Sequence, residues 1–331
     1  MTLSIVKIRS ASTSEWDQIW QACDYATYFH SREWAEIWQS YTQGKIHPAP
    51  KLIGFSDRRT VLLPCSVQES FHGLAKIYLS SPEGTFGGWI SEDSIEPAHA
   101  DLLTNFLTRK VGNLVWRMNP YAEYSGHDSQ AVLQPDETHT LALSDGFDAL
   151  VSTWKKGNAS MLRKTHKARK EGISVQTLVS KQDWLVYYQV YQNSLQRWGR
   201  EVESGYRWEL FETMRQKKSD SIKLWAAIYQ NQIIAGALCF YAKHHVVYWH
   251  GAALSDFFNL RPINLLMTEI IQNACSQQYR WFDFNPSGGN QGVIAFKQSF
   301  GAKSLACPTI TIETPGLTLL KTLRKTLSAP R

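Results

Sequence analysis

The sequence predicts an α/β (α+β) protein of two mixed-sheet domains in tandem, and three observations carry that expectation. The chain has 331 residues, more than one core commonly serves, so two domains or one doubled fold is the starting point. Segments of two-residue apolar period alternate with segments of helical period through both halves. The order of these segments in the first half returns in the second, as architecture and not as a sequence repeat. A hydrophobic fraction of 43%, with 13 Trp, 14 Tyr and 14 Phe, can fill both cores and excludes a disordered chain.

In the first half, Ser31-Arg32-Glu33-Trp34 opens a helix whose apolar residues Trp34, Ile37, Trp38 and Tyr41 keep helical spacing. Two strand-like runs follow, Pro50–Phe55 and Thr60–Val67, either side of the turn Ser56–Arg59. Ser80–Trp89 is a glycine-punctuated loop, Pro97–Lys110 a helix and Leu114–Asn119 a strand. The polar stretch Tyr121–Thr138 reads as the crossover between halves. In the second half, Gly146–Lys156 and Ser160–Glu171 are helices, the latter closed by Gly172, and Ile173–Val179 is a strand. Asp183–Trp198 and Trp208–Lys217 are helices; Ile222–Tyr229, Ile233–Tyr241 and Val246–Gly251 are strands. Pro262 stands where a first helical residue belongs, ahead of Ile263–Gln278, and Trp281–Phe284 and Thr309–Thr314 are the last strands. The expected boundaries are a first domain at 1–140, a second at 141–314 and a basic tail at 315–331.

Five scattered cysteines without a C-x-x-C pair support neither a disulfide framework nor a metal site, and fit a reducing cytoplasm. The N-terminus lacks a signal-peptide core, and the longest apolar run, Ile233–Ala242, is too short to span a bilayer. The net charge of +6 is unevenly spread. Lys155, Lys156, Arg163, Lys164, Lys167, Arg169 and Lys170 are opposed there only by Glu171. Such a face attracts phosphate, on tRNA, a nucleotide carrier or an anionic surface, and a solvated helix face is the plainer reading; DNA is not the expected partner. In Leu317–Leu327 leucines sit beside Lys321, Arg324 and Lys325, as in a helix docked on the protein or one in weak contact with an anionic membrane.

The segment richest in chemistry is Trp281–Ala302, WFDFNPSGGNQGVIAFKQSFGA. A strand runs into a Pro/Ser/Gly/Gly/Asn loop and then into a short segment bearing Phe296, Lys297 and Phe300. A lone lysine between aromatics, past the carboxyl end of a buried strand, can aim a cation into a water-poor cleft and steady an oxyanion; a surface lysine is the alternative. Together with Trp154, Arg163-Lys164, Ala168–Ile173, Arg197, Asn259–Pro262 and Phe282–Phe284, this segment resembles the Fem-type enzymes, double-GNAT acyltransferases. These include the aminoacyltransferases of peptidoglycan interpeptide bridges and related users of acyl thioesters. The resemblance covers roughly residues 30–312 and implies two GNAT-like domains. It implies that Lys297 stabilises the tetrahedral intermediate beside Phe296, and that Arg197 grips an anionic group of donor or acceptor. Trp154 and Arg163 fall in its substrate-binding part, and Asp283, a carboxylate inside a sheet, is expected to be structural or to orient its neighbours. Arg261 and Asn264 fall where such folds bind the carrier.

Acyl transfer to an amine needs a neutral amine, a held carbonyl and a stabilised oxyanion. No Ser-His-Asp or Cys-His arrangement is visible, so direct attack without a covalent enzyme intermediate is expected. Strand alternation places Tyr248 and His250 on one face, where either could pass a proton; a packed aromatic strand is the alternative. Ala252–Ile263, AALSDFFNLRPI, lacks the glycines with which acyl-CoA-dependent GNAT enzymes cradle pyrophosphate, although Pro262 still opens a helix there. The expectation is a cytoplasmic N-acyltransferase taking an acyl group from acyl-CoA or an acyl carrier protein to a peptide-type or small-molecule amine, without metal. The alternatives are an aminoacyl-tRNA-dependent peptidyltransferase and a non-catalytic anion-binding protein.

Overall fold

A computed structural model describes residues 2–122, 133–199 and 205–327, which divide into two compact units. The first comprises Met1–Glu137 with Ala306–Arg331, the second Thr138–Leu305.

The first unit opens with a strand and a helix absent from the sequence reading, β1 (Ile5–Ser10) and α1 (Thr13–Ala22). Ser12 and Glu15 form a reciprocal capping box at α1, whose Trp16 and Ile19 are buried. α2 (Arg32–Tyr41) begins where expected: the Ser31 hydroxyl accepts from the Trp34 amide at 3.1 Å, and Trp34, Ile37 and Trp38 are buried. β2 (Ile46–Pro48) and β3 (Lys51–Phe55) follow. The single strand expected over Thr60–Val67 is two, β4 (Thr60–Leu63) and β5 (Ser66–Ser70). Pro64 has no amide hydrogen for a ladder, and the chain changes sheet there: β4 pairs with β3, β5 with β2. Then come β6 (Ala75–Leu79), α3 (Pro97–Lys110), β7 (Leu114–Arg117) and β8 (Leu133–Gln134). Within the expected crossover, residues 123–132 lie outside the described residues.

The second unit runs β9 (Glu137–Ala142), α4 (Gly146–Gly157), α5 (Ala159–Lys170), β10 (Ser174–Leu178), α6 (Lys181–Arg197), α7 (Trp208–Gln216), β11 (Ile222–Tyr229), β12 (Gln232–Ala242), β13 (His245–Ala253), α8 (Pro262–Ser276), β14 (Trp281–Asp283), α9 (Gln291–Gln298) and β15 (Lys303–Ala306). Its sheet has the order β10-β11-β12-β13-β14-β9-β15. β10 to β13 form an antiparallel meander, β13 and β14 run parallel across the α8 crossover, and β9 is antiparallel to β14. On one face Trp154, Met161, Ala168, Leu266 and Ile270 of α4, α5 and α8 pack on Ala235, Ala237 and Cys239 of β12. On the other α6 lies close: a Cβ at Gly236 would stand 2.4 Å from the Tyr187 ring.

Two elements then return to the first unit, β16 (Thr309–Ile312) and α10 (Pro315–Leu327). The first unit holds a three-stranded sheet, β1-β3-β4, and a six-stranded sheet, β2-β5-β6-β7-β16-β8. The expected boundaries therefore move. The strand near residue 310, assigned from sequence to the second domain, lies between β7 and β8, and the second unit begins at residue 138 because β9 joins β14. The start of β9 read as linker because three of its four buried positions, Thr138, His139 and Thr140, are polar residues inside a sheet, Leu141 being the fourth. In α10, Leu317 is buried, Leu319 and Leu323 are exposed, and Lys321 pairs with Glu313. No helix among the described residues is long and apolar enough to cross a membrane.

Candidate active site

β13 and β14 pair over three residues only, His245, Val246 and Val247 against Trp281, Phe282 and Asp283. β13 continues to Ala253, whereas β14 stops and its chain turns at Asn285, whose φ of +62° is left-handed. The two strands thus part beyond Val247 and Asp283. On the other edge of β13 the register slips at the same place. Leu238 faces His250 and Cys239 faces Tyr248, which leaves Trp249 as the extra residue of a β-bulge.

The bulge corrects one expectation. Simple alternation puts Tyr248 and His250 on one face; the inserted residue puts them on opposite faces. Tyr248 packs with the Cys239 side of the sheet. Trp249 and His250 both turn toward α6, where the Trp249 ring lies 5.8 Å from Phe240 and His250 is enclosed by Tyr187, Tyr191 and Phe211. His250 Nδ1 meets the Tyr187 hydroxyl at 2.7 Å, and burial drives its pKa down to about 3. A ring neutral that far down the pH scale is a poor proton acceptor at neutral pH. Burial also pushes the Tyr248 phenol well up, so it keeps its proton.

The Tyr248 hydroxyl lies over Gly251, where a Cβ would come within 1.9 Å of it. Gly251→Ala is expected to push the ring aside at a cost of about 1–3 kcal/mol, read as a lower Tm. Adding Tyr248→Leu, which removes the ring, should recover part of the loss. An unchanged Tm in the single variant would show that the ring moves without resistance.

Lys297 lies in the last turn of α9 and is only 3% exposed. The Asn290 side chain caps that helix, accepting from the Val293 amide at 3.2 Å. Lys297 Nζ donates to the Asn285 carbonyl and, at 2.7 Å, to Ser287 Oγ, so the ammonium sits at the exit of β14. Asp283 holds the same turn from its other side. Fully buried, it accepts from the Thr138 hydroxyl and, at 2.7 Å, from the Asn285 amide. One residue, Asn285, is thus fixed by a carboxylate at its N–H and by an ammonium at its carbonyl.

Phe296 is half-buried against Phe300, 5.2 Å between centroids. Trp154 is enclosed in the core of the second unit. It is 1% exposed, packs on Phe147 and Phe300, and donates from Nε1 to the Phe300 carbonyl at 2.6 Å. With Asn158, which donates to the Ser299 carbonyl at 2.8 Å, it satisfies carbonyls just past the end of α9. Its part is to hold the helix that carries Lys297.

Arg197, at the end of α6, donates to the Ala253 carbonyl at 2.8 Å and lies 4.8 Å from the Phe258 ring centroid. Ser194, one turn earlier, donates to the same carbonyl at 3.2 Å. Arg197 therefore clasps the connection from β13 to α8 while remaining exposed. That connection is a 3-10 turn, Ser255–Leu260, ending at Arg261 with φ +61°. No side chain caps α8, which starts at Pro262; Arg261 is exposed and Asn264 lies in the first turn. Arg163 lies on the outer face of α5 with Lys167 and Lys170, while Met161, Thr165 and Ala168 face inward. Of the expected site residues, the β14 exit gathers Lys297 and Asp283, and the β13–α8 connection gathers Arg197, Arg261 and Asn264. The sequence reading passed over Asn285, Ser287, Thr138, Trp249 and Phe258. Only the Pro-Ser-Gly-Gly composition marked the turn that holds Ser287.

Residues 155–298, which span the bulge, the α8 terminus and Lys297, match the family model of the acetyltransferase (GNAT) domain. Among solved structures, FemX matches 95% of this chain and 99% of its own with a TM-score of 0.69 at 12% identity. L-PGS from Bacillus licheniformis matches 83% of this chain and 88% of its own with a TM-score of 0.52 at 13% identity. No curated protein matches the sequence. The matched stretch is a GNAT-type domain, the class of N-acyltransferases, and the fold along the chain is Fem-like, with mixed α/β units as expected.

Proposed function

We propose that this GNAT-domain, Fem-like chain transfers an acyl group from a carrier thioester, acyl-CoA or acyl carrier protein, to the amine of a peptide-type acceptor. The observation that carries this reading is the parting of β13 and β14, with a buried ammonium at one exit and an uncapped helix N-terminus beyond the other. The amine nitrogen attacks the thioester carbon, forming the C–N bond as the carbonyl becomes an oxyanion that faces Lys297. Collapse breaks the C–S bond. Tyr248, still protonated, supplies a proton to the departing sulfur and regains one from the amine through water. No group of the chain becomes acylated. The amides of the first α8 turn, with Arg261 and Asn264 beside them, receive the carrier's phosphate. Arg197 offers a guanidinium to an anion at the same end, and Phe296 walls the ammonium from solvent. The reading requires the cytoplasm, where such carriers are made.

A specific observation favours an aminoacyl-tRNA donor as the second reading. Lys155, Lys156, Arg163, Lys167 and Lys170 stand exposed along α4 and α5, and Arg169 is bound by Glu269 at 2.6 Å. A basic stripe suits a polyphosphate backbone as well as an acidic carrier protein.

Mass spectrometry of what co-purifies with the chain separates the readings. The expected result is a bound pantetheine thioester, with free thiol released when a peptide amine is added. Bound aminoacyl-tRNA, discharged by the same acceptor, would establish the second reading. If neither is consumed, and charge reversal along α5 abolishes anion binding while Lys297→Met changes nothing, the chain is a binding protein.

A further inference from the structure

The first unit contains a cavity of about 290 Å³ that the proposed chemistry does not use. It lies among β1, β3, β4, β6, β7 and the end of α3. Its wall is almost wholly apolar, with Phe106 and Leu107 of α3, Cys65 and the Trp116 indole, and no Asp or Glu lines it. Two ammonium-bearing side chains, Lys51 and Lys110, complete the lining. Lys110 is exposed and Lys51 half-buried, so they stand toward solvent while the aromatic and aliphatic groups stand toward the core. Lys51 Nζ reaches Ser10 Oγ at 3.3 Å and has no carboxylate among its described partners.

The lining also holds an unmet hydrogen bond. Trp116 is 0% exposed, and its Nε1–H has no acceptor among the described residues. Leaving a buried donor unpaired costs about 1–3 kcal/mol, and buried indole N–H groups ordinarily find a partner. Two other buried tryptophans of the first unit have such a partner: Trp16 donates to the His30 carbonyl at 2.8 Å and Trp34 to Ser81 Oγ at 3.1 Å.

We infer that this cavity is a binding site for an aliphatic carboxylate of about ten carbons, its head group between Lys51 and Lys110 and its body against Phe106, Leu107 and Trp116. The length is an order-of-magnitude match to a space of about 290 Å³. An apolar pocket with a few convergent polar groups is the usual form of a small-molecule site. The absence of carboxylates and the two cations select an anion over an alcohol or amine of equal length. The site is in the first unit and stands or falls independently of acyl transfer in the second.

The test uses the full chain labelled with 5-fluorotryptophan and titrated with decanoate, decanol and decylamine below their micelle concentrations. The Trp116 fluorine resonance is assigned by its loss in Trp116→Phe. The expected result is a saturable shift of that resonance by decanoate, with about tenfold weaker binding of decanol and none of decylamine. In Lys51→Gln/Lys110→Gln, at the chain's surface, decanoate and decanol should bind alike. Calorimetry on unlabelled protein reads the same affinities without relying on the Trp116 variant to fold. Absence of decanoate binding, or equal binding of all three probes by the unaltered chain, would overturn the assignment and leave an ordinary packing gap.

Discussion

Lys297→Met is expected to lower kcat by about 10²–10³, the loss that follows removal of one oxyanion donor. Methionine matches the lysine stem in shape, so the Phe296 and Phe300 surroundings are kept. It leaves the Asn285 carbonyl and Ser287 Oγ without the ammonium, at about 1–3 kcal/mol. Rates are therefore compared well below the variant's Tm, with circular dichroism showing native helix content. Lys297→Arg should not restore the rate. A planar guanidinium is bulkier than the ammonium it replaces and cannot reproduce its two bonds in a space where the side chain is 3% exposed. A stability loss with kcat unchanged would reduce Lys297 to a pin for the loop and remove the chemistry assigned to it.

Asp283→Ala has the largest expected effect on stability. The carboxylate is fully buried, and its removal orphans the Thr138 hydroxyl and the Asn285 amide. At about 1–3 kcal/mol for each stranded donor, the cost is about 2–6 kcal/mol, enough to lower Tm severely. Asp283→Asn keeps one acceptor and should cost less, which makes it the variant for kinetics. Because Asp283 acts through Asn285 on the place where the Lys297 ammonium rests, the two sites should couple. Asp283→Asn with Lys297→Met is expected to lose less turnover than the two single losses combined. Strict additivity would disconnect Asp283 from the site and leave it a structural residue of the sheet.

Elements with strong local signals were legible in the sequence. Ser31 before Trp34, Ile37 and Trp38 marked α2, Pro262 marked α8, and the bounds of α3 were read to the residue. Signals that depend on partners were not. β1 is almost wholly exposed, its alternating Val6 and Ile8 included, and β9 buries threonines and a histidine, so neither carries the signal of a core strand. Of the site, the ammonium at the β14 exit was foreseeable because a lone lysine among aromatics after a buried strand is unusual. The opposed faces of Tyr248 and His250 were not, because a period-two reading assumes an unbroken ladder and Trp249 breaks it. Trp154 misled for a related reason. Its indole could bond a ligand or a helix-end carbonyl, and only the folded chain brings the Phe300 carbonyl to it.

The placement of β16 sets an order on how the protein is made. Residues 309–312 emerge from the ribosome after the whole of Thr138–Leu305, yet they fill an interior slot of the six-stranded sheet. The second unit needs none of those residues to complete its own sheet. The first must wait with β7 and β8 unjoined, two exposed backbone rims inviting stray pairing. Closure then joins Leu114 to Ile312, a contact spanning most of the sequence and among the slowest kinds to form. The half synthesised first is the half that matures last.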